Sequence, residues 1–158
     1  HQVKYLGRRS LELTSPKLIE FISPDLEMNE SFLASDCLIS TLGTTLKIAG
    51  SKKRFKEIDL DLPLKIAQNF KQKGGEHMVL LSSLGANSHS VFFYPQMKGI
   101  LEDKIKLLNF KNLNIVRPSL LLGERQEERL LEKYSQKMMK NLNFLLPMTH
   151  LQNLPTEP

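Results

Sequence analysis

The chain has 158 residues, of which 41% are hydrophobic and 25% are charged, so its length and composition suit one domain with one hydrophobic core rather than two. Its net charge of +5 comes from scattered lysines, without the clustered basic stripe that a nucleic-acid-binding surface needs. No apolar run reaches the roughly 18 to 20 residues that span a bilayer, and the first residues do not follow a signal-peptide pattern. We therefore expect a protein with neither nucleic-acid nor membrane partners.

Cysteine and histidine positions argue against a disulfide or a metal site. The only cysteine, Cys37, lies in a short apolar run, which predicts a buried thiol in a reducing, cytoplasmic setting. His77 and His89 stand at no metal-ligand spacing from any cysteine or acidic cluster. We therefore predict no bound metal.

Short apolar runs alternate with segments of helical periodicity, a pattern typical of parallel strands joined by crossover helices. The predicted strands are Val3 to Gly7, Leu18 to Ile22, Asp36 to Thr41, His77 to Ser82 and Leu113 to Val116, and the predicted helices are Leu62 to Lys73, Tyr94 to Leu108 and Glu124 to Leu142. Such short strands, without strict apolar alternation, are typical of strands covered on both faces. The predicted fold is a doubly wound, mostly parallel α/β domain over residues 1–144, followed by an irregular, proline-containing tail over residues 145–158.

Tyr94 and Lys98 stand four residues apart on the second predicted helix, so both side chains project from one face. A phenol exchanges protons poorly near neutral pH, and a nearby ammonium group favours its ionised form, which makes it a usable general acid or base. Ser82 and Ser83 end the preceding strand, where α/β sheets bind ligands, and either hydroxyl is placed to hold a substrate oxygen. The spacing alone also fits a solvated helix face.

Five stretches in register carry a resemblance to a known family. They are Leu42-Gly43-Thr44-Thr45 with Ala49-Gly50, Leu80 to Ala86, Tyr94 to Gly99, Val116 to Gly123, and Arg125-Gln126-Glu127 with Arg129. In this order they resemble the atypical short-chain dehydrogenase/reductases, in the branch of the Tat-interactive tumour-suppressor oxidoreductases and their bacterial relatives. The resemblance implies a Rossmann-like fold that binds a nicotinamide cofactor.

The resemblance also implies catalytic roles. Tyr94 would exchange a proton with the oxygen of a small carbonyl or alcohol substrate, and Lys98 would bond the nicotinamide ribose. Ser83 or Ser82 would hold the substrate oxygen, and the sequence does not decide between them.

Further positions would line the cofactor. Leu42, Gly43 and Thr44 match the segment that passes close to it, while Leu121 and Arg129 would line the cofactor or substrate side after the last strand. Arg8 and Arg9 follow the first strand, where arginine suits the 2′-phosphate of NADP(H) better than NAD(H). For Arg8, Arg9 and Arg129 the alternative is ordinary exposed surface, and for Leu121 it is core packing.

The family pattern opens with a strand and a glycine-rich turn that cradles the pyrophosphate, and this chain shows neither. Either the residues are part of a longer enzyme, which we favour, or the loop has been lost. The leading hypothesis is an NADP(H)-dependent oxidoreductase, and the alternative is a regulatory protein that binds the cofactor without turnover. A monomer and a homodimer are both compatible with the sequence.

Overall fold

A computed structural model of the chain describes residues 2–118. The strands are β1 (Val3–Gly7), β2 (Leu18–Ile22), β3 (Cys37–Ser40), β4 (His77–Leu81) and β5 (Asn112–Val116). The α-helices are α1 (Glu30–Leu33), α2 (Leu46–Ala49), α3 (Lys52–Lys56), α4 (Leu62–Gln72) and α5 (Phe93–Lys106), and a π-helical segment covers Glu57–Asp61. All five predicted strands are present to within one residue, and α4 and α5 are the first two predicted helices. The predicted helix from Glu124 to Leu142 and the tail over 145–158 lie outside the described residues.

The strands form two parallel sheets. In the first, β1 pairs with β2 and Val3 stands opposite Leu18. In the second, β4 lies between β3 and β5, and Met78 stands opposite both Leu38 and Leu113. The predicted α/β class with parallel strands is therefore confirmed, and it is consistent with a Rossmann-like fold. Among residues 2–118, no backbone hydrogen bond joins β1 to β3.

Burial alternates along β3 and β4 because successive side chains point to opposite faces. Leu38 and Met78 face the core, whereas Cys37 and Ile39 lie on the accessible face, where Ile39 is 66% exposed. The prediction of a buried Cys37 thiol is therefore wrong, since strand alternation outweighs the apolar character of the run. The sequence also predicted helices on both faces of the sheet, but within the described residues the face of β3 that carries Cys37 and Ile39 is accessible.

The core lies on the other face, between the three-stranded sheet and the helices. Its largest fully buried hydrophobic side chains are Phe55, Phe70, Met78, Leu80, Leu101 and Ile105, which come from α3, α4, β4 and α5. Phe70 of α4 also stacks on Phe110, with ring centroids 6.2 Å apart. Residues of α3, α4, α5 and β4 thus share one hydrophobic cluster.

One helical run extends from Lys52 to Gln72 and begins ten residues before the predicted helix start at Leu62. Ser51 caps it by accepting a hydrogen bond from the Arg54 amide. Pro63, a residue favoured in the first turn of a helix, lies inside this run, where it has no N–H to donate. In the π-helical segment before Pro63, backbone hydrogen bonds join residues five apart instead of four. Asp59 lies in this segment and is fully buried.

The longest uninterrupted α-helix of the described part is α5, with 14 residues. Over residues 2–118, no helix combines the length and the apolar composition that crossing a bilayer requires.

Candidate active site

Tyr94 and Lys98 lie one turn apart on α5, as the spacing predicted. The Lys98 Nζ atom lies 6.0 Å from the centroid of the Tyr94 ring. Tyr94 also packs edge-on against the buried Phe55, with ring centroids 5.8 Å apart. The phenol is therefore held between an aromatic ring from α3 and an ammonium group from its own helix.

Lys98 is buried and paired with a residue that the sequence analysis did not identify. Its side chain is 5% exposed, and Nζ lies 2.8 Å from Oδ1 of Asp59, whose side chain is 0% exposed. The other carboxylate oxygen, Oδ2, accepts a 2.7 Å hydrogen bond from the Thr44 amide. Because a buried charge needs a partner, the Asp59 carboxylate offsets part of the cost of burying the Lys98 ammonium group.

The contact between Lys98 and Asp59 is an ion pair rather than a well-aligned hydrogen bond, since Oδ1 accepts no hydrogen bond of favourable geometry. An ammonium group carries three donors. The arrangement therefore leaves Lys98 able to donate to a bound hydroxyl group.

Gly43 borders this ion pair. A Cβ atom at this position would lie 3.3 Å from Asp59 Oδ1, a tight contact, and 3.6 Å from Lys98 Nζ, an ordinary van der Waals contact. Gly43 is exposed, whereas the neighbouring Leu42 packs against the core. The structure thus brings Gly43 and Thr44, predicted to line a cofactor, next to Lys98.

The two serines at the end of β4 have different surroundings. Ser82 is buried, and its hydroxyl donates a 2.5 Å hydrogen bond to Oε1 of Glu102 on α5. Ser83 is partly buried, and its hydroxyl makes only a 3.2 Å hydrogen bond to the adjacent Leu84 carbonyl. Ser83 is therefore the serine with a hydroxyl free to exchange partners.

Glu102 links the ends of two strands through α5. Besides Ser82, it accepts two hydrogen bonds from Arg117, which directly follows β5. Burial alone would raise the pKa of Glu102, but the hydrogen bonds from Arg117 and Ser82 and the charge of Arg117 outweigh it and hold the pKa below its ordinary value. Glu102 is therefore an ionised structural carboxylate beside the candidate site.

The remaining predicted site residues are not brought to Lys98. Arg8 and Arg9 are exposed in the loop after β1, and neither forms an ion pair with another described residue. Leu121 and Arg129 lie outside the described residues. Between residues 2 and 118, no group of three or more metal-binding side chains is clustered.

Asp59, Glu102 and Arg117 are the polar residues that the sequence analysis missed. Glu102 offered a signal, since it follows Tyr94 and Lys98 at four-residue spacing and therefore continues their stripe on α5. Asp59 offered none, because the predicted helix began after it. Arg117 lies in Val116 to Gly123, one of the stretches that resemble the family, but the sequence analysis assigned it no role.

We expect Asp59→Asn to lower the free energy of unfolding by about 3 to 5 kcal/mol, because it leaves a buried lysine without a counter-charge. Urea unfolding at pH 7 measures this loss. The matched control is Glu57→Gln, which removes an exposed pair with Arg54 and is expected to cost under about 1 kcal/mol. Equal, small losses in both variants would contradict a charged pair at this position.

The lowered pKa of Glu102 predicts an acid-sensitive contribution to stability. A carboxylate whose pKa is depressed by folding stabilises the protein above its ordinary pKa, and this stabilisation is lost as the pH falls through the lowered value. Urea unfolding between pH 6 and pH 3 should therefore show a shallower loss of stability in Glu102→Gln than in the unmodified chain. Arg117→Met, which removes the cation responsible, should also flatten the profile, and unchanged slopes in both would rule the contribution out.

Comparison with known proteins places this chain in a family. The HIM1 family model matches residues 26–153. Protein FMP52-1, mitochondrial, of Scheffersomyces stipitis is 35% identical over 96% of this chain and 70% of its own length. Protein HTATIP2 of Rattus norvegicus is 36% identical over 89% of this chain and 60% of its own length. Protein FMP52, mitochondrial, of Candida albicans is 45% identical over 60% of this chain and 42% of its own length.

The expected cytoplasmic location is wrong, since several of the relatives are named as mitochondrial proteins. That expectation rested on one cysteine and on the absence of an apolar span, and neither feature distinguishes one reducing compartment from another. The chain spans between 42% and 70% of the length of these three relatives. Because the family model covers most of the chain, the chain belongs to the HIM1 family.

Proposed function

We propose that this chain forms most of the nucleotide-binding domain of an NADP(H)-dependent oxidoreductase of the short-chain dehydrogenase/reductase type, which acts on a small carbonyl or alcohol. The observation that carries the proposal is the buried Lys98, paired with Asp59 and lying beside the Tyr94 ring. A buried charged lysine is costly, and a structural role alone does not require one next to a phenol. The α/β fold with parallel strands and membership of a family related to NAD(P)-binding proteins support it.

The residues around Lys98 fit a nicotinamide nucleotide. Gly43 has no side chain beside the ion pair, and an ammonium group with three donors that pairs with one carboxylate oxygen can also donate to a ribose hydroxyl. Arg8 and Arg9 are exposed and unpaired with acids in the described part of the chain, which suits contact with a 2′-phosphate. When bound, the cofactor would supply or accept the hydride. Leu42 and Thr44, with Leu121 and Arg129 from beyond the described residues, complete the proposed cofactor contacts.

The proposed proton chemistry belongs to Tyr94. Its hydroxyl gives a proton to the substrate oxygen in reduction and takes it back in oxidation, while the Lys98 charge stabilises the phenolate. Ser83 holds the same substrate oxygen with its hydroxyl. Ser82 is assigned a structural role, because its only hydroxyl proton is donated to Glu102.

Tyr94→Phe tests this assignment, because it removes the proton donor and keeps the ring against Phe55. We expect kcat for NADPH-dependent reduction of a carbonyl panel to fall by about 10²-fold to 10⁴-fold, with little change in the NADPH dissociation constant measured by fluorescence titration. Undiminished turnover would disprove the catalytic role of Tyr94. Normal NADPH binding without turnover in the unmodified protein would instead support a regulatory, cofactor-binding function.

The two serines give a matched pair of variants. Ser83→Ala is expected to lower kcat/KM by at least tenfold without changing stability, because it removes a contact to the reacting oxygen. Ser82→Ala is expected to lower the free energy of unfolding by about 1 to 3 kcal/mol, because Glu102 then loses a buried hydrogen bond. Parallel assays of turnover and urea unfolding separate the roles, and the opposite pattern would exchange them.

A further inference from the structure

The connection between β1 and β2 carries Arg8 and Arg9, the two arginines proposed to contact the 2′-phosphate. Residues 8–17 are all exposed, and residues 10–15 have no regular secondary structure. Because β1 and β2 run parallel, the chain has to return within this connection from the end of one strand to the start of the next. An exposed, irregular segment keeps one conformation only where other parts of the chain hold it.

Glu20, in the middle of β2, holds this segment. Its Oε2 atom accepts a 2.7 Å hydrogen bond from the Ser10 hydroxyl, and its Oε1 atom accepts a 2.8 Å hydrogen bond from the Leu11 amide. The Glu12 amide in turn donates to Ser10 Oγ. Within residues 2–118, no other hydrogen bond ties residues 8–14 to the rest of the chain. The Glu20 carboxylate is therefore the polar anchor of the segment that follows the arginines.

The segment is also fixed on the side that precedes the arginines. Gly7 ends β1 and is buried, and the Tyr5 ring fills the space that a Cβ atom at Gly7 would take. Tyr5 stands opposite Glu20 in the register of β1 and β2, so both side chains lie on the same face of this sheet. Arg8 and Arg9 therefore lie between two fixed points, the end of β1 and the step from Ser10 to Leu11.

The anchor leaves the charges of the arginines available. Among the described residues, Glu20 forms an ion pair with neither Arg8 nor Arg9, and its carboxylate is engaged by Ser10 and Leu11 instead. Binding a phosphate with arginine orders long side chains, and ordering the backbone at the same time would add to that entropic cost. A backbone that is held before the ligand arrives avoids this second cost.

We propose, on the basis of the function proposed above, that Glu20 is a positioning residue for the 2′-phosphate subsite and so sets the preference for NADPH over NADH. Glu20 acts through the backbone that carries Arg8 and Arg9, without touching the phosphate. An acid that acted only through its charge would repel a phosphate, so its removal would strengthen NADPH binding. The positioning role predicts the opposite sign, because removal of the anchor weakens NADPH binding.

The test compares NADPH with NADH in fluorescence titrations of the whole 158-residue chain, since the two cofactors differ only in the 2′-phosphate. Glu20→Gln keeps one acceptor oxygen, whereas Glu20→Ala keeps none. We expect the Kd of NADPH to rise about threefold in the first variant and at least tenfold in the second, with the Kd of NADH changing less than twofold in both. Competition by 2′,5′-ADP should weaken in the same order, while competition by 5′-ADP should not change.

Glu12→Gln is the matched control. It removes a negative charge from the same connection, and the Glu12 side chain forms no hydrogen bond or ion pair with another described residue. We expect the Kd of NADPH to change less than twofold in this variant. Equal weakening in Glu12→Gln and Glu20→Gln would indicate a general effect of charge and would overturn the positioning role.

Hydrogen exchange followed by NMR measures the anchor without any cofactor. Leu11 is exposed, and its amide donates to Glu20, so exchange at this amide should become at least tenfold faster in Glu20→Ala. Exchange at the β5 amides should not change, and the urea midpoint should match that of the unmodified chain. Should Glu20→Ala unfold, the comparison of Glu20→Gln with Glu12→Gln decides the question.

Two results would overturn the positioning role while leaving the proposed function in place. One is an unchanged preference for NADPH over NADH in the Glu20 variants, and the other is tighter NADPH binding when the Glu20 charge is removed. Failure of the proposed function looks different, since the unmodified chain itself would then bind NADPH no more tightly than NADH. That result would overturn the NADP(H) preference and the role of Glu20 in it, even with faster exchange at the Leu11 amide.

Discussion

The buried ion pair between Lys98 and Asp59 is the constraint on which the candidate site depends. Removing two charges from water is expensive, and the structure offsets this cost only by holding them 2.8 Å apart and giving the carboxylate a further backbone donor. That arrangement requires three parts of the chain to meet: α5 for the lysine, the π-helical segment for the acid, and the loop after β3 for the Thr44 amide. Gly43 lies in this loop, where a Cβ atom would make a tight 3.3 Å contact with Asp59 Oδ1.

The two buried carboxylates near the candidate site, Asp59 and Glu102, have different roles. Asp59 neutralises a charge next to Tyr94, so its effect falls on the reacting group. Glu102 ties Ser82 and Arg117 together, so its effect falls on the ends of β4 and β5 that surround the site. Because Glu102 accepts the hydroxyl proton of Ser82, only Ser83 of the two adjacent serines keeps a hydroxyl that can contact a ligand.

Local sequence patterns predicted the strands, α4, α5 and the Tyr94–Lys98 pair, since these depend on periodicity within a few residues. They failed where the outcome depended on distant partners. Asp59 is buried only because Lys98 arrives from another helix, and a charge of this kind looks like surface in the sequence. Cys37 looked buried because its neighbours are apolar, but strand alternation and uncovered sheet area decide its exposure. The helix start was predicted at Leu62 because the π turn before it leaves no regular helical periodicity in the sequence.

The π turn also has a consequence for how this region tolerates changes in length. The Leu62 amide bonds to the carbonyl of Glu57, five residues back, so the segment contains one residue more than a regular turn. Deleting one residue would restore a regular helix and rotate everything upstream by about 100° relative to α4. Phe55 would then lose its contact with the Tyr94 ring. If the deleted residue lay between Asp59 and Pro63, Asp59 would also lose its contact with Lys98. Between Ser51 and Leu62, the number of residues therefore matters more than the identity of most of them.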